Sequence, residues 1–243
     1  MSQHTENLIA HVLAHYTVRH SSRARRMSLR LISSGLEVVL PAGADPALAS
    51  VFVREHHDWI AEAVKRNRAR LEPVLCRPLF PEELQLRATG ETFRLRVTAA
   101  TGKSSLSVNR SELCVAVAGT GSDAAVTMLL GWLKRKGHAF LVPRCRELAE
   151  RHGLEPAAVR IAVPGRRWGS CSARGTVMLN ARLLFLPPAL CDAVIYHELA
   201  HLVFLDHSQK FWRYLVQLQP DAVTHDTALK EAGRYLPGWA AMR

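Results

Sequence analysis

The chain has 243 residues, 48% hydrophobic and 22% charged, a length and balance that suit a buried core and exclude a disordered polyelectrolyte. The longest apolar stretch, residues 124–133, is too short to cross a bilayer and stops at Lys134-Arg135-Lys136, so no membrane association is expected. The net charge of +11, carried mostly by arginine, fits either an anionic partner or a basic solvated surface.

The N-terminus, MSQHTENLIAHVL, lacks a basic region leading into an apolar one, so a cytoplasmic protein is expected. From Arg26, "RMSLRLISSGLEVVLP" alternates apolar and polar residues across a turn at Ser33-Ser34-Gly35, which predicts a β-hairpin. Asp45-Pro46 offers an N-cap and a first-turn proline to one helix. Its stripe of Leu48, Val51, Phe52, Trp59, Ile60, Ala63 and Val64 runs to about Leu71. Alternation at Phe93, Leu95 and Val97, then Leu106 and Val108, then Leu113, Val115 and Val117 predicts a three-strand meander. Ser122-Asp123 caps a long helix to about His152, with bends expected near Gly137 and Pro143. Strands follow at residues 159–164 and 167–171, a turn at Ala173-Arg174-Gly175, and a helix opened by Pro187-Pro188. Ser208 caps a last helix with Phe211, Trp212, Leu215 and Leu218 on its apolar side. Together these elements predict an α+β fold with a basic N-terminal α+β region over 1–120 and a C-terminal domain over 121–243.

Five cysteines, Cys76, Cys114, Cys145, Cys171 and Cys191, are odd in number and contain no C-x-x-C pair. That argues against a disulfide framework and against a cysteine-held zinc. "HELAHLVFLDH", residues 197–207, is a different matter. His197 and His201 stand four apart and so share one face of a helix, where both imidazoles reach a single ion. Glu198, beside the first of them, is placed to act on water as a general base. A catalytic zinc needs a third protein ligand, and His207, six residues on, can fold back to supply it. This spacing is that of the metzincins, but Phe204 stands where they have glycine. The only later methionine, Met242, is not at a Met-turn position. One zinc per chain is preferred for a three-histidine set, although manganese, cobalt or nickel could also occupy it.

The segment "RRWGSCSARGTVMLNARLLFLPPALCDAVIYHELAHLVFLDHSQKFW" resembles the YgjP-like metallopeptidase family, relatives of the SprT-like and WLM zincins. Arg167-Trp168-Gly169-Ser170-Cys171, Leu179-Asn180 with Arg182, and the two histidine motifs carry the match. The hairpin "RARRMSLRLISSGLEVVLP" and the helix with "DWI" extend it to nearly the whole chain. The resemblance implies a zincin-like C-terminal domain, a small sheet packed on the metal helix, with zinc on His197, His201 and His207.

The expected function is zinc-dependent hydrolysis of a peptide or protein, with Glu198 moving the proton. Two alternatives rest on the arginines: a nucleoside triphosphate pyrophosphatase, and a nucleic-acid-associated protease. A structural zinc module is a fourth reading, weakened because it gives Glu198 no purpose and leaves a coordination position open. For the oxyanion, Tyr214, Tyr235 and His225 are candidates, and Arg166, Arg167 and Arg182 could bring positive charge to the metal. Trp168, Cys171 and Asn180 are expected to be structural. The sequence fixes neither the oligomeric state nor which substrate class is cut.

Overall fold

The computed structural model describes residues 3–32, 35–75, 78–119, 122–165 and 167–241. It divides into two compact units, Met1–Arg77 and Pro78–Arg243.

The first unit opens with α1 (Gln3–Ala14), then places β1 (Tyr16–Ser21), β2 (Ser28–Ile32) and β3 (Gly35–Pro41) in one sheet of order β1-β3-β2. The expected hairpin is present: β2 and β3 pair antiparallel, with Leu29 opposite Val38 and Leu31 opposite Leu36. Its turn residues Ser33 and Ser34 lie outside the described residues. β1 pairs parallel to β3 on the other side, a long-range contact with no local signature. The single helix expected after Asp45 is three: α2 (Leu48–Glu55), α3 (His57–Arg66) and α4 (Arg68–Leu75). Asp45 accepts a bond from the Ala47 amide at 2.9 Å, so it closes a turn and the helix starts later, at Leu48. The breaks fall where side chains compete for backbone carbonyls. His56 Nδ1 meets the carbonyl of Phe52 at 2.8 Å, and Asn67 Nδ2 donates to that of Ala63 at 2.8 Å. The expected stripe is buried only in part: Ile60, Ala63 and Val64 are buried and Phe52 packs against the core, but Leu48, Val51 and Trp59 are exposed, and Val53 takes the inward position on α2. Val53, Ile60, Val64 and Leu71 join Leu8, Val12, Leu36, Val38 and Leu40 in one core.

The second unit begins with β4 (Glu83–Leu86), β5 (Glu91–Ala100), β6 (Ser105–Asn109) and β7 (Glu112–Ala118). These strands do not form the expected meander. Their order is β4-β5-β7-β6, with β7 inserted parallel to β5 and antiparallel to β6. Alternation says which face is buried and not which strand is the neighbour, and on β6 it does not hold to the end, since Val108 is exposed. Leu84, Leu86, Phe93, Leu95, Leu113, Val115 and Val117 pack in the same core as the helix α5 (Ser122–Glu150). Phe93 meets Trp132 of that helix edge-on at 5.3 Å. This shared core puts the division at 77/78 and not near residue 120.

α5 is one continuous helix through Gly137 and Pro143. At Gly137 an added Cβ would lie 3.1 Å from the Ala181 methyl and 3.2 Å from Ile161, so the glycine lets the helix press onto the next layer. That layer is a second sheet of β8 (Ala158–Ala162), β9 (Gly169–Cys171) and β10 (Thr176–Asn180), in the order β8-β10-β9. The turn into β10 is the expected one, with Gly175 at φ +74°. α6 (Pro188–Ala200) follows with proline in its first turn, then α7 (Gln209–Leu218) and α8 (Ala222–Leu229). Among the described residues no helix is long and apolar enough to cross a membrane. Cys114, Cys145, Cys171 and Cys191 are free thiols.

Candidate metal centre

α6 is buried on most of its circumference: Leu190, Cys191, Val194, Ile195, Leu199 and Ala200 all lie in the core. Such a helix is a rigid mount for polar side chains near its C-terminus. His197 lies in its last turn and His201 is its C-terminal cap residue. The chain then turns, and Asp206 accepts a bond from the Ser208 amide at 3.1 Å, which bends the backbone into α7. That bend returns His207 to the helix. His197 Nε2 and His207 Nε2 are 3.0 Å apart, and one nitrogen from each of the three histidines falls within 4.8 Å of the others.

The donor set fits a metal ion. His201 directs Nδ1 to the carbonyl of Phe204 at 2.9 Å, which leaves Nε2 bare for coordination. Two imidazole nitrogens 3.0 Å apart need a shared proton or a shared cation, and tetrahedral ligands at about 2.1 Å from zinc lie roughly 3.4 Å apart. Burial, and after it the neighbouring His201 and His207, hold His197 down to about 4 against an opposing pull from Asp226. His201 is lowered too, chiefly by burial. Neutral imidazole is the form that ligates. Beneath the cluster, Phe211 stacks on His201 at 4.6 Å and meets His197 and His207 edge-on at 5.0 and 4.9 Å. The apolar side of α7 therefore forms the floor of the site. Trp212, half-buried, stands 6.4 Å from His197.

Glu198 is 6% exposed, and burial pushes its carboxyl up to about 7, opposed by the positive charge of Arg167. It faces β9. A Cβ built at Gly169 would lie 2.6 Å from Glu198 Oε1 and 2.7 Å from its Cγ, so only glycine leaves the carboxylate its place. Gly169 stands within the quoted RWGSC segment, but its role has no signal in one sequence, because the contact joins residues far apart in the chain. Asn180 sets the same strand. Fully buried, it donates from Nδ2 to the carbonyls of Pro164 and Arg167 at 3.1 and 2.9 Å, and its own amide donates to that of Trp168 at 2.8 Å. The expected structural role of Asn180 is thus a specific one, holding the segment that leads into Gly169.

The family model for the YgjP-like metallopeptidase domain matches residues 25–232. The chain belongs to the YgjP-like family. No match is found among curated proteins or among solved structures. Membership makes this chain a metal-dependent hydrolase of metallopeptidase type, and the three-histidine cluster is compatible with that.

The remaining residues of interest separate. Arg167 is exposed and acts electrostatically on Glu198. Arg182 is not at the metal: it is 5% exposed, with Nε donating to the Ala240 carbonyl at 2.6 Å and Nη1 to that of Pro164 at 3.1 Å. Arg166 lies outside the described residues. Tyr214 packs edge-on against Phe204, Tyr235 lies under the guanidinium of Arg87, and His225 has its Nδ1 buried without a partner. Among the described residues, none of these three makes a hydrogen bond or ring contact with the histidine cluster.

Proposed function

We propose that this YgjP-like domain hydrolyses peptide bonds with one zinc ion held by His197, His201 and His207, and with Glu198 as the proton carrier. The observation that carries the reading is the seat of Glu198, next to a ligand on α6 and pressed against Gly169 of β9. Among the described residues β9 is an end strand of its sheet and pairs with β10 alone, through Gly169 opposite Leu179 and Cys171 opposite Val177. An extended peptide can add to such an edge by main-chain hydrogen bonds, which sets a backbone carbonyl beside Glu198.

A divalent cation in this set supplies the Lewis acid that polarises the scissile carbonyl and acidifies water. Glu198 accepts a proton as the water oxygen bonds to the carbonyl carbon, and returns it to the nitrogen as the C–N bond breaks. A carboxyl brought near neutrality by burial is matched to both halves of that transfer. Arg167 is the nearby cation suited to steady the developing oxyanion.

A second reading, hydrolysis of a nucleoside triphosphate, draws on the same Arg167, because a guanidinium that acts on Glu198 also suits a phosphate. The zinc-loaded protein assayed in parallel on casein and on nucleoside triphosphates, with Glu198→Gln beside it, separates the two. Casein cleavage lost in the variant supports the peptidase. Pyrophosphate release lost in the variant, with casein intact, replaces it with the second reading.

A further inference from the structure

From Asn7 to Leu36 the sequence contains no carboxylate and five arginines: Arg19, Arg23, Arg25, Arg26 and Arg30. All five fall on β1, on β2 or on the segment joining them. Arg19 is neutralised by Glu37 at 3.2 Å. Arg23, Arg25, Arg26 and Arg30 are exposed, and among the described residues none of the four makes an ion pair. Glu37, on β3 between the two strands and opposite Arg30, is the acidic residue within this sheet, and Glu6, Asp58 and Glu62 lie along the groove between α1 and α3. Within this unit the acidic side chains on α1 and α3 are accompanied by Lys65 and Arg66, whereas the β1–β2 side carries the four arginines that make no ion pair among the described residues.

We propose that the β1–β2 arginines bind the phosphate backbone of duplex nucleic acid without reading its sequence. Four unpaired cations close together repel one another, and a polyanion relieves that cost. The guanidinium fork matches phosphate oxygens bidentately, which the ammonium of lysine cannot do. From Arg23 to Arg30 the chain spans at most about 25 Å, a length over which a duplex presents about fifteen charges. Side-chain composition separates this partner from other polyanions. The joining segment exposes no large apolar side chain to enter a lipid surface: Ser22 and Ala24 are small, and Met27 is half-buried against the core. It also exposes no aromatic ring to stack on unpaired bases, since Tyr16 is packed against that core as well. The proposal is independent of the metal centre and of what that centre cleaves.

The test is fluorescence anisotropy of a labelled 20-base-pair DNA duplex with the full-length protein, titrated between 25 and 200 mM NaCl. Four phosphate contacts predict a log–log salt slope of about −3.5. Arg23→Ser/Arg25→Ser/Arg26→Ser is expected to weaken binding at least tenfold at 50 mM and to remove about three-quarters of the slope. Arg23→Lys/Arg25→Lys/Arg26→Lys, which keeps the charge, should retain most of the affinity and guards against a folding defect in the serine variant. Lys103→Ser/Lys134→Ser/Arg135→Ser removes the same charge from exposed positions elsewhere and should stay within twofold of wild type. Absence of binding at 25 mM, or equal weakening by the two serine variants, overturns the proposal. So does binding to vesicles of phosphatidylcholine and phosphatidylserine with none to the duplex.

Discussion

Gly169 and Glu198 interact so closely that each can be used to test the other. Gly169→Ala forces a methyl into the place of the Glu198 carboxylate, with 2.6–2.9 Å to its atoms, so the carboxylate must move. We expect kcat to fall at least tenfold, while Gly102→Ala, with open space around its Cβ, leaves it unchanged. The raised carboxyl of Glu198 also makes a thermodynamic prediction for the metal-free protein. Its folded value of about 7 lies above the ordinary 4.5, so the folded state holds the proton longer than the unfolded state. Stability from this group is full below pH 4.5 and is lost as pH rises through 7, a loss of about 3 kcal/mol by pH 8. Glu198→Gln removes that dependence. Denaturant melts of the two metal-free proteins should agree in slope near pH 4, with the variant gaining on wild type by pH 8. A constant difference across that range would contradict the buried, uncompensated carboxylate.

Elements decide whether such residues meet at all. Asn180 ties residues 164–168 to the end of β10 with hydrogen bonds to three backbone carbonyls, two of them from its side chain. Asn180→Ala leaves the Arg167 carbonyl without its side-chain donor and the Arg182 amide without its acceptor, while the Pro164 carbonyl keeps the Arg182 guanidinium, costing about 2–4 kcal/mol. In a unit of this size that lowers the melting midpoint by roughly 5–10 °C. Activity should fall further than stability accounts for, because β9 loses its anchor. A variant as active and as stable as wild type would show that the segment is held some other way.

What the sequence made legible was local. The i, i+4 histidines, the proline that opens α6 and the return of His207 all depend on spacings of a few residues, and they stand where those spacings put them. The hairpin of β2 and β3 was legible for the same reason. The parallel pairings of β1 with β3 and of β5 with β7 were not, because alternation reports burial and carries no record of the partner strand. The breaks at His56 and Asn67 were hidden because the apolar stripe continues across them. Gly169 and Asn180 were visible as motif residues, but their contacts required the sheet and α6 to be assembled.

At the scale of the whole molecule, the three clustered histidines and Glu198 all lie in the unit Pro78–Arg243. A ligand that binds only the folded state stabilises by about 2.7 kcal/mol at a free concentration one hundred times its Kd. Chelation should therefore lower the calorimetric transition of this unit and leave that of Met1–Arg77 in place. Equal shifts in both would mean that the metal acts outside the three-histidine site. The placement of the boundary at 77/78 also means that β4 to β7, which pack on α5 and share its core, belong to the unit that carries the three histidines.

If three histidines hold the metal while Glu198 moves the proton, metal binding and turnover separate in one variant. The most direct measurement is the turnover of Glu198→Gln on the substrate that wild type cleaves, taken together with its metal content. One metal per chain is expected in both proteins, with kcat lower by about 10²–10⁴-fold in the variant. Wild-type turnover in the metal-loaded variant would contradict that role for Glu198.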